Sequence, residues 1–284
     1  MMTSIMMFIT GATGHVGSEI VSQLAAAGQP VRALVRDASG ATLPTGVEPV
    51  AGDLNHVETW ADGLKGVRGV FLLSGYNDMP GTLAAIKRAG VERVVLLSSQ
   101  SAADSDTHNA VARYHILSEA AVRESGLPWT FLRPSSFMSN ALRWLPLMRE
   151  GKPIREAFGD ARLAMVDPHD IAAVAIEALT STDGKHAGKG YRLTGPEALN
   201  AEERVRVLSA VLNRPLRYEP MSDEEARADM IASSTPAPYI EAFFDLFRGG
   251  KYDESPVHPT VEQVTGRPPH TFEQWVRAHA EAFR

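Results

Sequence analysis

The chain has 284 residues, 44% of them hydrophobic, which allows a sizeable core and argues against wholesale disorder. Its formal charge of -6 disfavours binding to a nucleic-acid backbone, which needs concentrated Lys and Arg. With no cysteine, disulfides, thiolate catalysis and Cys-based metal sites are excluded, and a reducing, cytoplasmic setting is expected.

The apolar start, Ile5 to Thr10, is too short to span a bilayer and lacks the basic flank and cleavage pattern of a signal peptide. It reads as a first strand. Further strands are predicted at Val31–Val35, Val47–Ala51, Gly69–Leu73, Arg93–Ser98 and Trp129–Arg133, with helices at His15–Ala27, Trp60–Leu64, Met79–Ala89 and Ala110–Ser125. Gly90 and Gly126 suit left-handed stops for the last two helices. This alternation predicts an α/β fold, a doubly wound parallel sheet of the Rossmann type. After about residue 135 the rhythm changes. Helices are expected at Pro168–Leu179, Asn200–Val211, Tyr239–Phe247 and from Thr271 to about Phe283. The expected division is a Rossmann core over 1–135 and a smaller C-terminal α/β lobe over 136–284, interleaved with the last strands of the sheet.

Gly11-Ala12-Thr13-Gly14-His15-Val16-Gly17 follows the first strand and opens a helix. Such a turn aims backbone N–H groups and the positive helix end at a pyrophosphate, and a Cβ at the glycines would block the turn, the phosphate or the helix–strand contact. The spacing GxxGxxG alone also fits an ordinary glycine-rich turn; its place after the first strand favours the nucleotide reading. The second strand ends Val35-Arg36-Asp37. Arg36 suits a 2′-phosphate through charge-assisted contacts, whereas Asp37 suits a ribose hydroxyl. The arginine favours NADP(H) over NAD(H), with a solvated strand-end cation as the plain alternative. Asp53, in Gly52-Asp53-Leu54, is a candidate acceptor for the adenine amine, although the tripeptide is also a common turn.

The motifs GATGHVG (11–17), VRALVRD (31–37), GDL (52–54), VERVVLLSS (91–99), SGLPWTFLRPSSFMSN (125–140), DPHDIA (167–172) and VTGRPPHTFEQWV (264–276) together resemble the atypical, NmrA-like branch of the short-chain dehydrogenase/reductase superfamily. That branch includes quinone reductases and triphenylmethane-dye reductases. The resemblance implies that Gly11, Thr13, Gly14, His15, Val16 and Gly17 meet the pyrophosphate, Arg36 the 2′-phosphate, and Asp53 and Leu54 the adenine. It places Leu73, Ser74 and Gly75 on the path to the nicotinamide and Ser98 and Ser99 at the neighbouring strand end. Pro134 to Phe137 would close over the ring, with Phe137, Met138 and Asn140 facing the substrate.

One departure bears on catalysis. Carbonyl-reducing members of the superfamily use a Tyr-x-x-x-Lys pair, in which lysine lowers the tyrosine pKa. Here Tyr114 is followed four residues on by Ser118, which carries no charge. His115 and Glu119 share a helix face and resemble the His-x-x-x-Glu of quinone-reductase members; a solvated i,i+4 pair is the alternative. His115, Tyr114 and Ser99 are the catalytic candidates. No metal is expected, since Asp167 and Pro168 read as a helix start and the tail histidines His258, His270 and His279 show no ligand spacing. The Gly-x-Ser-x-Gly elbow of hydrolases is missing. Phe243 and Phe244, with Tyr239 and Phe247, recur at helical spacing and read as packing or as the wall of a flat-substrate site.

The leading expectation is an NADPH-dependent reductase of a flat conjugated acceptor, a quinone or aromatic ketone. The alternatives are a non-catalytic, nucleotide-sensing regulator that binds a protein partner, and an aromatic polyketide tailoring enzyme performing oxygenation. The partner is expected to be a small aromatic molecule, without nucleic acid or membrane, for a monomer or homodimer.

Overall fold

The computed structural model describes residues 5–104, 106–250 and 252–284. Its first half alternates as the periodicity requires. Strand β1 (Met6–Ile9) leads into α1 (His15–Ala26), followed by β2 (Val31–Val35), β3 (Glu48–Ala51), β4 (Val67–Leu73), α2 (Met79–Arg88), β5 (Arg93–Leu97), α3 (Ser101–Asp104), α4 (Ala110–Glu124) and β6 (Trp129–Pro134). The helix expected at 60–64 is instead two 3-10 turns, Val57–Thr59 and Ala61–Leu64. A Cβ at Gly63 would come within 2.9 Å of Val50 and 3.1 Å of Phe8, so the chain passes close against the sheet there. Gly90 and Gly126 both take positive φ, as their place after a helix requires.

Then come a 3-10 segment, Met138–Trp144, and α5 (Leu145–Arg149), α6 (Pro168–Thr180), β7 (Lys189–Leu193), α7 (Ala201–Leu212), α8 (Asp223–Ala232), α9 (Ala237–Arg248), α10 (Thr260–Thr265) and α11 (Phe272–Ala278). The final helix is shorter than expected: α11 stops at His279 and a 3-10 turn, Ala280–Phe283, follows. Among the described residues no helix is long and apolar enough to cross a membrane.

The seven strands form one sheet in the order β3-β2-β1-β4-β5-β6-β7, and the five pairings from β3 through β6 are parallel. Strand order reverses between β1 and β4. In open α/β sheets, the crevice beyond the carboxyl ends of the strands at such a point is where ligands bind.

The chain forms two compact units. Of the described residues, one unit holds those within 5–103, 114–133 and 168–192; the other holds those within 104–113, 134–167 and 193–284. In the first, Phe8, Trp60, Val70, Leu72, Val94, Leu96 and Phe131 pack with Leu83 and Ile86 of α2 and Val122 of α4. Helix α1 is tied to α6 where the His169 ring meets Glu19 at 3.0 Å and Gln23 at 2.9 Å. The second unit has its own core, in which Met138, Trp144, Met148 and Met165 surround Val205 and Leu208 of α7 and Phe272 and Trp275 of α11.

Candidate functional site

The turn after β1 is built for close backbone approach. Gly11 has φ +60°, and a Cβ there would meet Leu73 Cδ1 at 2.7 Å. A Cβ on Gly17 would lie 2.1 Å from the carbonyl oxygen of Gly11, so α1 presses directly onto the turn. Gly14 caps the helix in an extended conformation and offers no side-chain acceptor. The first-turn amides of α1, at His15, Val16 and Gly17, have no acceptor within the helix. Thr13, Gly14 and His15 are exposed, whereas the Val16 side chain is buried and leaves its amide as the functional group. This cradle of small residues and open N–H groups fits a dinucleotide pyrophosphate.

Arg36 stands exposed at the end of β2. Asp37, its competitor for the ribose, is turned into its own loop: its carboxylate accepts the Ser39 hydroxyl at 2.7 Å and the Ser39 N–H at 2.9 Å. These bonds hold its pKa below the usual carboxylate range. Asp53 is exposed, and its carboxylate accepts the N–H of Asn55 at 2.9 Å while its carbonyl accepts the indole N–H of Trp60. Leu54 and Leu73 are half-buried against the first core.

Beyond β4 the turn from Leu73 to Tyr76 is fastened residue by residue. The Leu73 N–H donates to Thr10 Oγ1 at 3.3 Å, the Ser74 hydroxyl to the Leu97 carbonyl at 2.8 Å, and the Gly75 N–H to Ser118 Oγ at 3.0 Å. The buried Tyr76 hydroxyl donates to Thr10 Oγ1 at 3.0 Å, and burial pushes its pKa up to about 12. Thr10, Tyr76 and Ser118 were not read as site residues, because a hydroxyl that braces a turn has no sequence signature of its own.

Helix α4 replaces the expected His115–Glu119 pair with a different arrangement. Glu119 is 2% exposed and accepts four bonds: from Ser98 Oγ at 2.7 Å, from Arg133 at 2.8 and 2.6 Å, and from Arg123 at 3.0 Å. A carboxylate this deep requires such partners. Burial works against its ionisation, but the bonds from Arg133 and Ser98 and the charges of Arg133 and Arg123 outweigh it and hold the pKa low. The alternative of a solvated ion pair is overturned by the same burial. Arg133 was the missed signal: a cation inside a core strand needs a buried anion.

His115 is left without a partner at Nδ1, and its ring lies tilted by 35° against that of Tyr114, centroids 4.0 Å apart. Burial pulls its pKa down to about 4, with the Glu119 charge opposing only in part. At neutral pH it is an uncharged imidazole. Its folded pKa lies below its unfolded value, so the unfolded chain binds the proton first and stability falls as pH drops from about 6.5 towards 4. Unfolding free energies from urea titrations at pH 7 and pH 5 should differ by about 1–2 kcal/mol more in the wild type than in His115→Gln. Equal pH dependence of the two proteins would contradict the assignment. The third catalytic candidate, Ser99, serves as a local cap, its oxygen accepting from the Ser101 N–H at 3.2 Å and the Ser101 hydroxyl at 2.9 Å.

In the second unit the segment after β6 is braced by Glu254, which no motif marked. Its carboxylate accepts the Ser136 N–H at 3.0 Å and the Tyr252 hydroxyl, and its carbonyl takes the Ala164 N–H at 2.7 Å. Pro134 is buried and Phe137 and Asn140 are half-buried, but Met138, 1% exposed, belongs to the core and not to an open substrate wall. Phe244 packs edge-on against Phe158 at 4.9 Å under the Arg227 guanidinium, so its packing role is the one observed; Phe243 is half-buried beside it. Phe158 itself has φ +57°, a strained conformation for a bulky residue. Asp167 accepts the His270 ring at 2.8 Å, while the His169 ring bonds Glu19 and Gln23.

Comparison with known proteins agrees with this geometry. A family model described as NAD(P)H-binding matches residues 11–182. The chain is 42% identical over 283 residues to a (4-alkanoyl-5-oxo-2,5-dihydrofuran-3-yl)methyl phosphate reductase of Streptomyces griseus subsp. griseus, covering 98% of this chain and 99% of the relative. It is 36% identical over 286 residues to an NAD(P)H azoreductase of Xenophilus azovorans, covering 98% and 99%. The crystal structure of an NADPH-dependent quinone oxidoreductase from Escherichia coli aligns with a TM-score of 0.77 and 25% identity over 98% of this chain and 100% of that one. Given a seven-stranded, doubly wound sheet and similarity along nearly its whole length, the chain belongs to the NAD(P)H-binding family and is an oxidoreductase.

Proposed function

We propose that the chain is an NADPH-dependent reductase of flat, conjugated acceptors. The observation that carries this reading is the helix face of α4. Ser118 stands where a lysine would support Tyr114, and it is buried and bonded to the Gly75 N–H and the Tyr114 carbonyl. His115 is uncharged at neutral pH. Neither residue supplies the strong acid that a simple ketone needs as its alkoxide develops. An acceptor that is already electrophilic, and that spreads the incoming charge over a conjugated system, needs position more than acid. The acceptors named for the relatives share this chemistry: an oxo-dihydrofuran with an alkanoyl substituent, an azo compound and a quinone.

Bound NADPH supplies the hydride. The residues from Gly11 to Gly17 hold its pyrophosphate, Arg36 its 2′-phosphate, and Asp53 and Leu54 its adenine. Leu73, Ser74, Gly75 and Ser98 line the nicotinamide side. Oxidation of NADPH followed at 340 nm against a naphthoquinone, an unsaturated lactone, an azo dye and a simple aromatic ketone tests the reading. Turnover of the conjugated acceptors with little on the ketone is expected; a preference for the ketone would overturn it.

Commitment of Asp37 to Ser39 leaves Arg36 as the group that reads the 2′ position. Arg36→Asp should therefore weaken NADPH binding by roughly tenfold or more and leave NADH within about threefold. Equal losses for both coenzymes would refute the NADP(H) assignment.

A further inference from the structure

We propose that Ser118 is a positioning residue, a buried latch that fixes the Leu73–Tyr76 turn against α4 and so sets where the nicotinamide ring rests. The inference rests on the nucleotide reading given above and adds a role for the position at which the catalytic lysine of carbonyl reductases is missing.

Ser118 is 2% exposed, and its one hydroxyl serves two backbones. The oxygen accepts the Gly75 N–H at 3.0 Å, and the proton goes to the Tyr114 carbonyl one turn back at 2.7 Å. The donation to Tyr114 fixes the hydroxyl rotor, so the lone pair towards Gly75 is held in direction as well as in place. Gly75 has φ +92°, and a Cβ on it would come within 3.1 Å of the Tyr114 ring. The turn thus lies flush on the helix at the one residue that permits it.

The rest of the turn is anchored elsewhere: Leu73 and Tyr76 to Thr10 after β1, and Ser74 to Leu97 of β5. Ser118 is the tie to α4. Gly75 is exposed, so its N–H has water as a substitute partner, and the bond contributes more to position than to stability. A long lysine at this buried site would push the turn away. The serine is consequently a different solution, in which the helix orients the coenzyme through the turn in place of a charge beside it.

The test uses the full chain and compares wild type, Ser118→Ala and Ser118→Thr. In the binary complex with NADPH, nicotinamide fluorescence anisotropy should fall in Ser118→Ala while the NADPH Kd stays within about threefold, because the pyrophosphate and phosphate contacts are untouched. With a naphthoquinone acceptor kcat should drop roughly tenfold, and transfer from (4R)- and (4S)-deuterated NADPH should lose its facial preference. Ser118→Thr, which keeps the hydroxyl, should retain both anisotropy and facial preference, and the Tm of Ser118→Ala should stay close to the wild type. Unchanged anisotropy and facial preference in Ser118→Ala would overturn the latch, as would a threonine variant as impaired as the alanine one. Failure of the wild type to bind NADPH at all would instead overturn the nucleotide reading, and the latch with it.

Discussion

Gly17→Ala is expected to raise the NAD(P)H dissociation constant at least about 100-fold and to lower stability by about 1–3 kcal/mol. The new Cβ would sit 2.1 Å from the Gly11 carbonyl oxygen and 2.7 Å from the Gly11 carbonyl carbon. Both are backbone atoms, so no rotamer change relieves the overlap. Helix α1 must back away from the turn, and the amides proposed for the pyrophosphate move with it. Gly14→Ala is the control, since its Cβ would meet the same oxygen at 3.3 Å and a small shift accommodates it. Fluorescence titration of both variants with NADPH, beside thermal melts, checks the ordering. Should Gly17→Ala bind within tenfold of wild type, the turn is not the phosphate cradle.

Glu119→Ala carries the second large effect, a loss of about 3–5 kcal/mol, because truncation leaves the Arg133 guanidinium half-buried without its anion. Three elements lose their common anchor: Ser98 after β5, Arg123 on α4 and Arg133 on β6. Arg123 also lies over the Phe131 ring at 4.8 Å, so the packing of that ring loosens too. Glu119→Gln keeps an acceptor oxygen for Ser98 and should lose less. The pH dependence follows from the sign of the shift. The folded carboxyl titrates below its ordinary value of 4.5, so its contribution is complete above that value and is lost as pH falls through the folded pKa. Urea unfolding of wild type, Glu119→Ala, Arg133→Met and the double variant at pH 7 gives the coupling energy. A coupling near zero would mean that the cluster is ornamental to stability.

The same residues show why part of the site could be read early and part could not. The glycine turn is largely a local object: strand, three glycines and helix are contiguous, and Gly14 and Gly17 both answer to the Gly11 carbonyl, although Gly11 itself lies against Leu73. Arg36 and Asp37 are equally local. Asp37 nevertheless needed the structure, because its bond to Ser39 depends on how the loop folds and not on the order of the two adjacent charges. His115 and Glu119 share a helix face, and helical spacing suggested a pair; strand β6, fourteen residues on from Glu119, took the carboxylate instead. The aromatics of α9 and Met138 were legible as apolar, but whether an apolar group faces a core or a ligand depends on what is packed against it.

Elements followed the same division. The six expected strands lie where β-branched runs bounded by turns placed them. Strand β7, Lys-Gly-Tyr-Arg-Leu, has no apolar alternation, since it sits at the sheet edge with two exposed residues and one buried. Helix α8 has a weak apolar face and only Ala226 buried, although its capping box, Ser222 with Glu225, stands in the sequence. What the amino-acid order determined by itself is therefore the doubly wound sheet and the glycine turn that opens its first helix, because periodicity, glycine conformation and helix polarity act over a few neighbouring residues. What only the tertiary structure decided is the partnership of buried charge and hydroxyl around α4, because desolvation makes Glu119, Arg133 and Ser118 seek partners wherever the fold brings them, and no rule of spacing along the chain carries that information.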